Sequence, residues 1–182
     1  MKVEKLSKAF GEKSVLKDLS FEAGVGITGI SGPSGIGKTT LLRIIAGLET
    51  ADGGSFLDAG KISYCFQEPR LLPWRSALEN ASLAERSPGL AKEILCVLGL
   101  SDDLSLKPSE LSGGMQRRVA LARALAASFD TLLLDEPFSG LDRQAAENAF
   151  DAVRKYAENK CVLLVSHDGE MLEKADRTVY IG

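Results

Sequence analysis

The chain reads as an α/β protein built on a mainly parallel sheet, and three observations carry that prediction. A strand-like run, Gly26-Ile27-Thr28-Gly29-Ile30, feeds straight into a glycine-rich loop and then into a helix-like run from Thr39 to Gly47. Two short apolar runs, Thr131-Leu132-Leu133-Leu134-Asp135 and Cys161-Val162-Leu163-Leu164-Val165, have the unbroken hydrophobicity of strands buried on both faces. Strand-like and helix-like segments alternate at both ends of the chain. Its 182 residues suffice for one domain, 1–182, with a sizeable core.

Taken in order, the first thirty residues read as short strands separated by turns, with Leu19-Ser20-Phe21-Glu22 alternating as a half-buried strand does. Thr39–Gly47 reads as a buried helix closed by its glycine. Ala51-Asp52-Gly53-Gly54 is predicted to be a turn, and Lys61–Phe66 a strand of β-branched and aromatic residues. From Pro69 to about Pro108 the character changes to helical pieces divided by Pro73, Pro88-Gly89 and Pro108. Within it, Ala91–Leu98 carries apolar residues at helical spacing. A helical insertion over roughly 69–115 is the predicted organisation. Ser112 is placed to cap a largely buried helix running to about Ala127. A further helix follows from Arg143 to Glu158, and the chain closes with a short helix and the strand Arg177–Ile181.

Composition narrows the functional classes. Hydrophobic residues make up 45% and charged residues 26% of the chain, an ordinary globular balance. A net charge of −3 with no run of like charges gives no electrostatic footprint for nucleic acid. No apolar stretch approaches the ~20 residues that span a bilayer, and Met1–Lys5 lacks the apolar run of a signal peptide. Cys65, Cys96 and Cys161 are odd in number and widely spaced, which predicts buried, reduced thiols in a cytoplasmic protein.

Chemistry is concentrated in a few motifs. Gly32-Pro33-Ser34-Gly35-Ile36-Gly37-Lys38-Thr39 has the form G-x-x-x-x-G-K-[ST] of a phosphate-binding loop. Its glycines let backbone amides converge on phosphate oxygens, and the helix that follows adds the positive end of its dipole. Lys38 supplies charge for the β- and γ-phosphates, and the Thr39 hydroxyl a ligand for Mg²⁺. Asp135 and Glu136 end an apolar strand, where open α/β sheets bind ligands. Asp135 suits Mg²⁺ through its water shell, and Glu136 suits a general base acting on water. Ser112-Gly113-Gly114 at a helix start offers a second set of backbone amides for phosphate, although serine there is also a plain helix cap.

In this order the motifs resemble those of the ATP-binding subunit of ABC transporters. They are the phosphate loop, Gln67 after a strand, Leu111-Ser112-Gly113-Gly114, Leu132-Leu133-Leu134-Asp135-Glu136-Pro137, Ser139-Gly140-Leu141-Asp142 and Ser166-His167-Asp168. The resemblance implies a P-loop NTPase core with a mainly parallel sheet, a small N-terminal antiparallel β-subdomain and a helical insertion. It implies ATP and Mg²⁺ as cofactors. Gly32 to Thr39 together with Thr40 would hold nucleotide, with Phe10 stacked on adenine and Val15 beside it. Ser112, Gly113 and Gly114 would reach the γ-phosphate bound by a second copy in a head-to-tail dimer, with Asp142 communicating across that interface. Thr39, Gln67 and Asp135 would organise the metal, and Glu136, His167, Gln67 and Lys38 would serve catalysis. Taken alone, Phe10 reads as a core residue and His167 as a structural histidine. The chain departs from the family in Met115, where glutamine is usual, and in a short stretch from Thr50 to Phe66, which implies a trimmed β-subdomain. It closes soon after His167, leaving no room for a C-terminal regulatory domain, as a minimal subunit or a truncated one would.

Phe66-Gln67-Glu68-Pro69-Arg70-Leu71-Leu72-Pro73-Trp74 resembles the corresponding segment of importers of nitrate, sulfonate, taurine and related small ions. The implied partners are a second ATPase subunit, a transmembrane permease and a substrate-binding protein, with no nucleic acid. The implied location is cytoplasmic, peripheral on the inner face of the cell membrane. Leu71, Leu72 and Trp74 beside Arg70 and Arg75 have the composition of a docking surface, while packing of Trp74 within the helical stretch is the simpler alternative. The rival function is a soluble ATPase of the same type that works without a permease.

Overall fold

The computed structural model describes residues 1–182. Two sheets carry the fold. A three-stranded antiparallel sheet has the order β2-β1-β4, formed by β1 (Lys2–Phe10), β2 (Lys13–Glu22) and β4 (Gly53–Leu57). A five-stranded parallel sheet has the order β5-β6-β7-β3-β8, formed by β3 (Gly26–Ser31), β5 (Ile62–Cys65), β6 (Thr131–Asp135), β7 (Cys161–Val165) and β8 (Arg177–Tyr180). The helices are α1 (Lys38–Ile45), α2 (Ala77–Ala81), α3 (Leu90–Val97), α4 (Gly113–Ala126), α5 (Arg143–Tyr156) and α6 (Gly169–Glu173).

The two apolar runs are central strands, and their hydrophobicity is unbroken because each face meets a different core. Leu132 and Leu134 of β6 and Val162 and Leu164 of β7 pack into a cluster with α4 and α5. Leu133, Leu163 and Val165 point the other way, to α1 and the antiparallel sheet. The first cluster extends through Val119 to Ala126 of α4 into α2 and α3, so α4 is the spine on which the proline-divided stretch is mounted.

The N-terminal region differs from the predicted series of short strands. β1 and β2 are long partners, and shifts of register at Val3/Leu6, Leu6/Lys8 and Lys8/Ala9 break the alternation that would have revealed their length. Gly53 and Gly54 are not a turn, as predicted, but open β4. Gly54, at φ 79°, lies where the β1–β4 register shifts, and a Cβ there would strike the Lys5 carbonyl. The thiols also differ from expectation. Cys65 is buried, its pKa raised by burial to about 12, and Cys161 is half-buried, but Cys96 is exposed; all three are free. No helix is long and apolar enough to cross a membrane.

Candidate active site

Parallel strands end on one edge, so the loops that follow β3, β5, β6 and β7 gather there without any long connection. After β3 comes the loop Gly32–Gly37, after β5 Gln67, after β6 Glu136, and after β7 Ser166 and His167. They open onto one cleft of about 290 Å³, lined among others by Gly35, Lys38, Thr39, Gln67, Asp135 and His167. Val15, Gly37, Thr40, Glu136 and Val165 complete its wall.

The loop geometry depends on all three of its glycines, and at Gly32, φ 149°, a Cβ would strike the Ile181 carbonyl. Gly35 has φ 75°, and Gly37 has φ 112° with the Val15 carbonyl where a side chain would go. The chain thereby turns tightly enough to bring Lys38 back over the loop, where its buried ammonium donates to the Gly32 carbonyl at 2.6 Å and the Pro33 carbonyl at 2.9 Å. Ser34 is exposed at the crest, and Ile36 packs inward on the core shared by α1 and the antiparallel sheet.

Asp135 is 1% exposed, and both carboxylate oxygens accept hydrogen bonds. Thr39 Oγ1 donates to Oδ1 at 3.1 Å, and the Tyr64 hydroxyl donates to Oδ2 at 3.2 Å. Burial raises its pKa, opposed by these two donors and by the Lys38 charge. Glu136 is buried as well, at 6% exposure. Its backbone sits at φ 52°, a left-handed conformation costly for a side-chain-bearing residue, and its own N–H donates to the Val165 carbonyl at 2.9 Å. Oε2 accepts the His167 backbone N–H at 3.1 Å. Oε1 lies 3.2 Å from His167 Nε2, but without hydrogen-bond alignment it has no donor. Burial raises the Glu136 pKa as well, against the lowering effect of the His167 N–H. A strained, buried carboxyl in the wall of a cleft, with one oxygen to which no group of the chain donates, is equipped to take a proton. The His167 ring is more than half exposed, while the turn that carries it is fixed: Ser166 Oγ accepts the Asp168 N–H, and Asp168 caps α6.

Other predicted residues lie apart from this cleft in the single chain. Phe10 is exposed at the β1–β2 turn, with the Lys8 ammonium 5.1 Å from its ring centre. Ser112 and Asp142 act as helix caps: Ser112 Oγ accepts the Met115 N–H at 3.3 Å at the start of α4, and Asp142 Oδ1 accepts the Ala145 N–H at 2.9 Å at the start of α5. Met115 is half-buried against the main core. Gly113 has an unstrained φ, and a Cβ built on it meets nothing within 4 Å, so no intrachain contact requires glycine there.

Three residues not singled out from sequence shape the site. Val165 lines the cleft. Tyr64 holds Asp135. Arg117 of α4 donates to the Ser139 carbonyl and, at 3.4 Å, to the Gln67 carbonyl, joining the segments after β5 and β6 to that helix. Period-two alternation would put Ile62, Tyr64 and Phe66 on one face, but which strand lies beside β5 is not written locally.

A glycine-rich loop with its lysine, a buried strand-end carboxylate beside the loop threonine, and a second carboxyl at the cleft define a P-loop nucleoside triphosphatase. The sequence model described as ABC transporter matches residues 16–139. The aliphatic sulfonates import ATP-binding protein SsuB 3 of Rhodococcus jostii (strain RHA1) is 41% identical, over 96% of this chain and 68% of its own length. The corresponding SsuB 2 of Frankia alni is 44% identical, over 98% of this chain and 76% of its own. Two dimeric structures of the ATP-binding cassette MJ0796, one in a post-hydrolysis state bound to ADP and Pi, are 31% identical over 99% of this chain and 93% of theirs, with TM-scores of 0.88 and 0.87. The chain belongs to the ABC transporter family, as an ATP-binding and ATP-hydrolysing subunit.

Proposed function

We propose that the chain energises import of an aliphatic sulfonate or similar small organic anion through a membrane permease, as one of two ATPase subunits that share their nucleotides. The observation that carries the catalytic reading is the convergence of Lys38, Thr39, Gln67, Asp135, Glu136 and His167 on one cleft. Lys38 neutralises the β- and γ-phosphates, with backbone amides from Gly32 to Thr40 around them. Phe10 and Val15 serve the adenine from the β1–β2 side.

The donor set fits Mg²⁺. No group of three or more His, Cys, Asp or Glu side chains forms a cage in this chain, and Mg²⁺ favours few protein ligands plus phosphates and water. Thr39 can ligate through an oxygen lone pair while still donating its proton to Asp135. Gln67 and Asp135 would complete the holding set. Held there, a metal ion would supply neutralisation of the charge that develops on the phosphates. Glu136 Oε1 accepts the proton of the attacking water. His167, fixed beside it, contacts the γ-phosphate and keeps that oxygen oriented.

Dimerisation supplies what one chain lacks. Two glycines open α4 although glycine is a poor helix former, and at Gly113 no neighbour in the chain accounts for it. Close approach of a partner's γ-phosphate to the amides of Gly113 and Gly114 accounts for it, with the Ser112 hydroxyl free to donate while its oxygen caps the helix. Asp142 then faces the partner.

The helical region of residues 69–115 is the part that meets the permease. Asn80, fully buried, donates to the carbonyls of Leu72, Arg75 and Ser76 and accepts the Leu72 N–H, which sets the turn that holds Trp74 outward at 69% exposure. A large exposed aromatic beside Arg75 is more readily explained by a docked helix than by internal packing. A substrate-binding protein and attachment to the inner face of the cell membrane follow from import. The test is reconstitution with the permease in vesicles. Uptake of an alkanesulfonate that depends on ATP and on this chain is expected. A chain that never sediments with permease-containing vesicles would refute the proposal and favour an ATPase acting without one.

A further inference from the structure

The Tyr64 hydroxyl is the one donor to Asp135 that the phosphate loop does not supply. Tyr64 lies on β5, whose register with β6 pairs it with Leu133 and Cys65 with Leu134, so the side chain reaches diagonally to the next residue of β6. Its ring is not free to move away. It stacks on Phe66 with centroids 4.1 Å apart and planes 24° from parallel, and the Arg70 guanidinium covers Phe66 at 4.3 Å. Arg70, at φ 46°, is held in turn by Arg123 of α4, which donates to the Arg70 carbonyl at 3.0 Å and the Pro69 carbonyl at 2.8 Å. The stack therefore joins the segment flanking Gln67 to Asp135. A carboxylate has about four lone-pair sites; Thr39 and Tyr64 occupy one on each oxygen and leave the others for metal-bound water.

We propose that Tyr64 is a positioning residue for divalent-cation binding: its hydroxyl fixes the Asp135 carboxylate, and the Phe66–Arg70 stack fixes the hydroxyl. This rests on the reading of Asp135 as a metal-organising residue. Without the hydroxyl, Oδ2 of a buried carboxylate loses its only donor within the chain, and the group must be reoriented when the metal arrives.

Tyr64→Phe removes the hydroxyl and keeps the stack. Binding of a fluorescent ATP analogue to the full chain, titrated with Mg²⁺ and repeated in EDTA, separates the contributions, and electron paramagnetic resonance of Mn²⁺ with ATP reports the metal directly. The expected result is unchanged nucleotide affinity in EDTA, with the Mg²⁺ and Mn²⁺ midpoints raised on the order of tenfold, the scale of one lost hydrogen bond to a charged group. Wild-type midpoints for Tyr64→Phe would overturn the inference, because a residue that only packs is fully replaced by phenylalanine. Asp135→Asn run in parallel keeps the two levels apart. If it abolishes the metal response while Tyr64→Phe behaves as wild type, only the role of Tyr64 falls. If Asp135→Asn leaves the metal response intact, the reading of Asp135 falls with it.

Discussion

Glu136→Gln exchanges one oxygen for an amide nitrogen at a position whose backbone, at φ 52°, makes the same demand of either side chain. The hydrogen-bond pattern dictates how glutamine must sit. Glu136 accepts the His167 backbone N–H at 3.1 Å, and only the amide carbonyl of glutamine can keep that bond. The NH₂ group is then placed where the unpartnered Oε1 lay, as a donor in place of an acceptor. The variant thus keeps the fold and the loop that binds phosphate while losing the one oxygen able to take a proton from water. Removing a general base lowers rates by about 10²–10⁴-fold, which is about 3–5 kcal/mol of transition-state stabilisation. Phosphate release under saturating MgATP measures the loss, and equilibrium binding of the same nucleotide should be unchanged. On the proposal that two copies share their nucleotides, a variant that keeps MgATP uncleaved should also accumulate as a dimer, visible by light scattering. Turnover at the wild-type rate would refute the assignment of Glu136 as the base.

Two further predictions use the same neighbourhood. His167→Ala removes the ring beside Glu136 Oε1 but not the backbone N–H that holds Oε2, so hydrolysis should fall by about 10²-fold with nucleotide binding retained. Loss of ATP binding in a binding titration would instead make His167 a structural residue. Burial raises the pKa of both Asp135 and Glu136. A carboxyl whose folded pKa exceeds its unfolded one binds its proton more tightly in the fold. Nucleotide-free protein therefore loses stability as pH rises from the ordinary carboxylate range through the raised values, and regains it as pH falls. Glu136→Gln, which cannot ionise, should flatten that profile, so that its melting temperature falls less than that of the wild type as pH rises. Parallel melting profiles for variant and wild type from the ordinary carboxylate range upward would contradict this.

Much of the fold was legible because its signals are local. Leu132–Leu134 and Val162–Val165 are apolar on consecutive positions over a length that suits a strand covered on both faces better than a helix. The phosphate loop, strand-end carboxylates and Ser112 cap are contiguous in sequence for the same reason. Where several segments decide the outcome, sequence failed. Gly53 and Gly54 read as a turn because glycine serves both turns and bulges, and only the pairing of β4 with β1 distinguishes them. Tyr64 and Arg117 carry no local signal, because their partners, Asp135 and the carbonyls of Gln67 and Ser139, come from other elements, and the order β5-β6-β7-β3-β8 that unites them is a tertiary fact. Cys96 falls at an outward position of α3, which helical spacing alone did not separate from its buried neighbours Ile94 and Leu95.

The central claim is that one copy holds ATP but is not a complete enzyme, and specific activity against chain concentration tests it most directly. Phosphate release per chain should rise as dilute protein is concentrated, in step with an ATP-dependent dimer followed by light scattering. Gly113→Asp sharpens the test. Its side chain has room within the chain, and an acidic group suits the start of α4, so the fold and the nucleotide loop are preserved. Its charge repels the partner's γ-phosphate, so this variant should bind ATP, stay monomeric and hydrolyse almost none. A monomer whose turnover is independent of concentration, or Gly113→Asp turning over at the wild-type rate, would contradict the shared site.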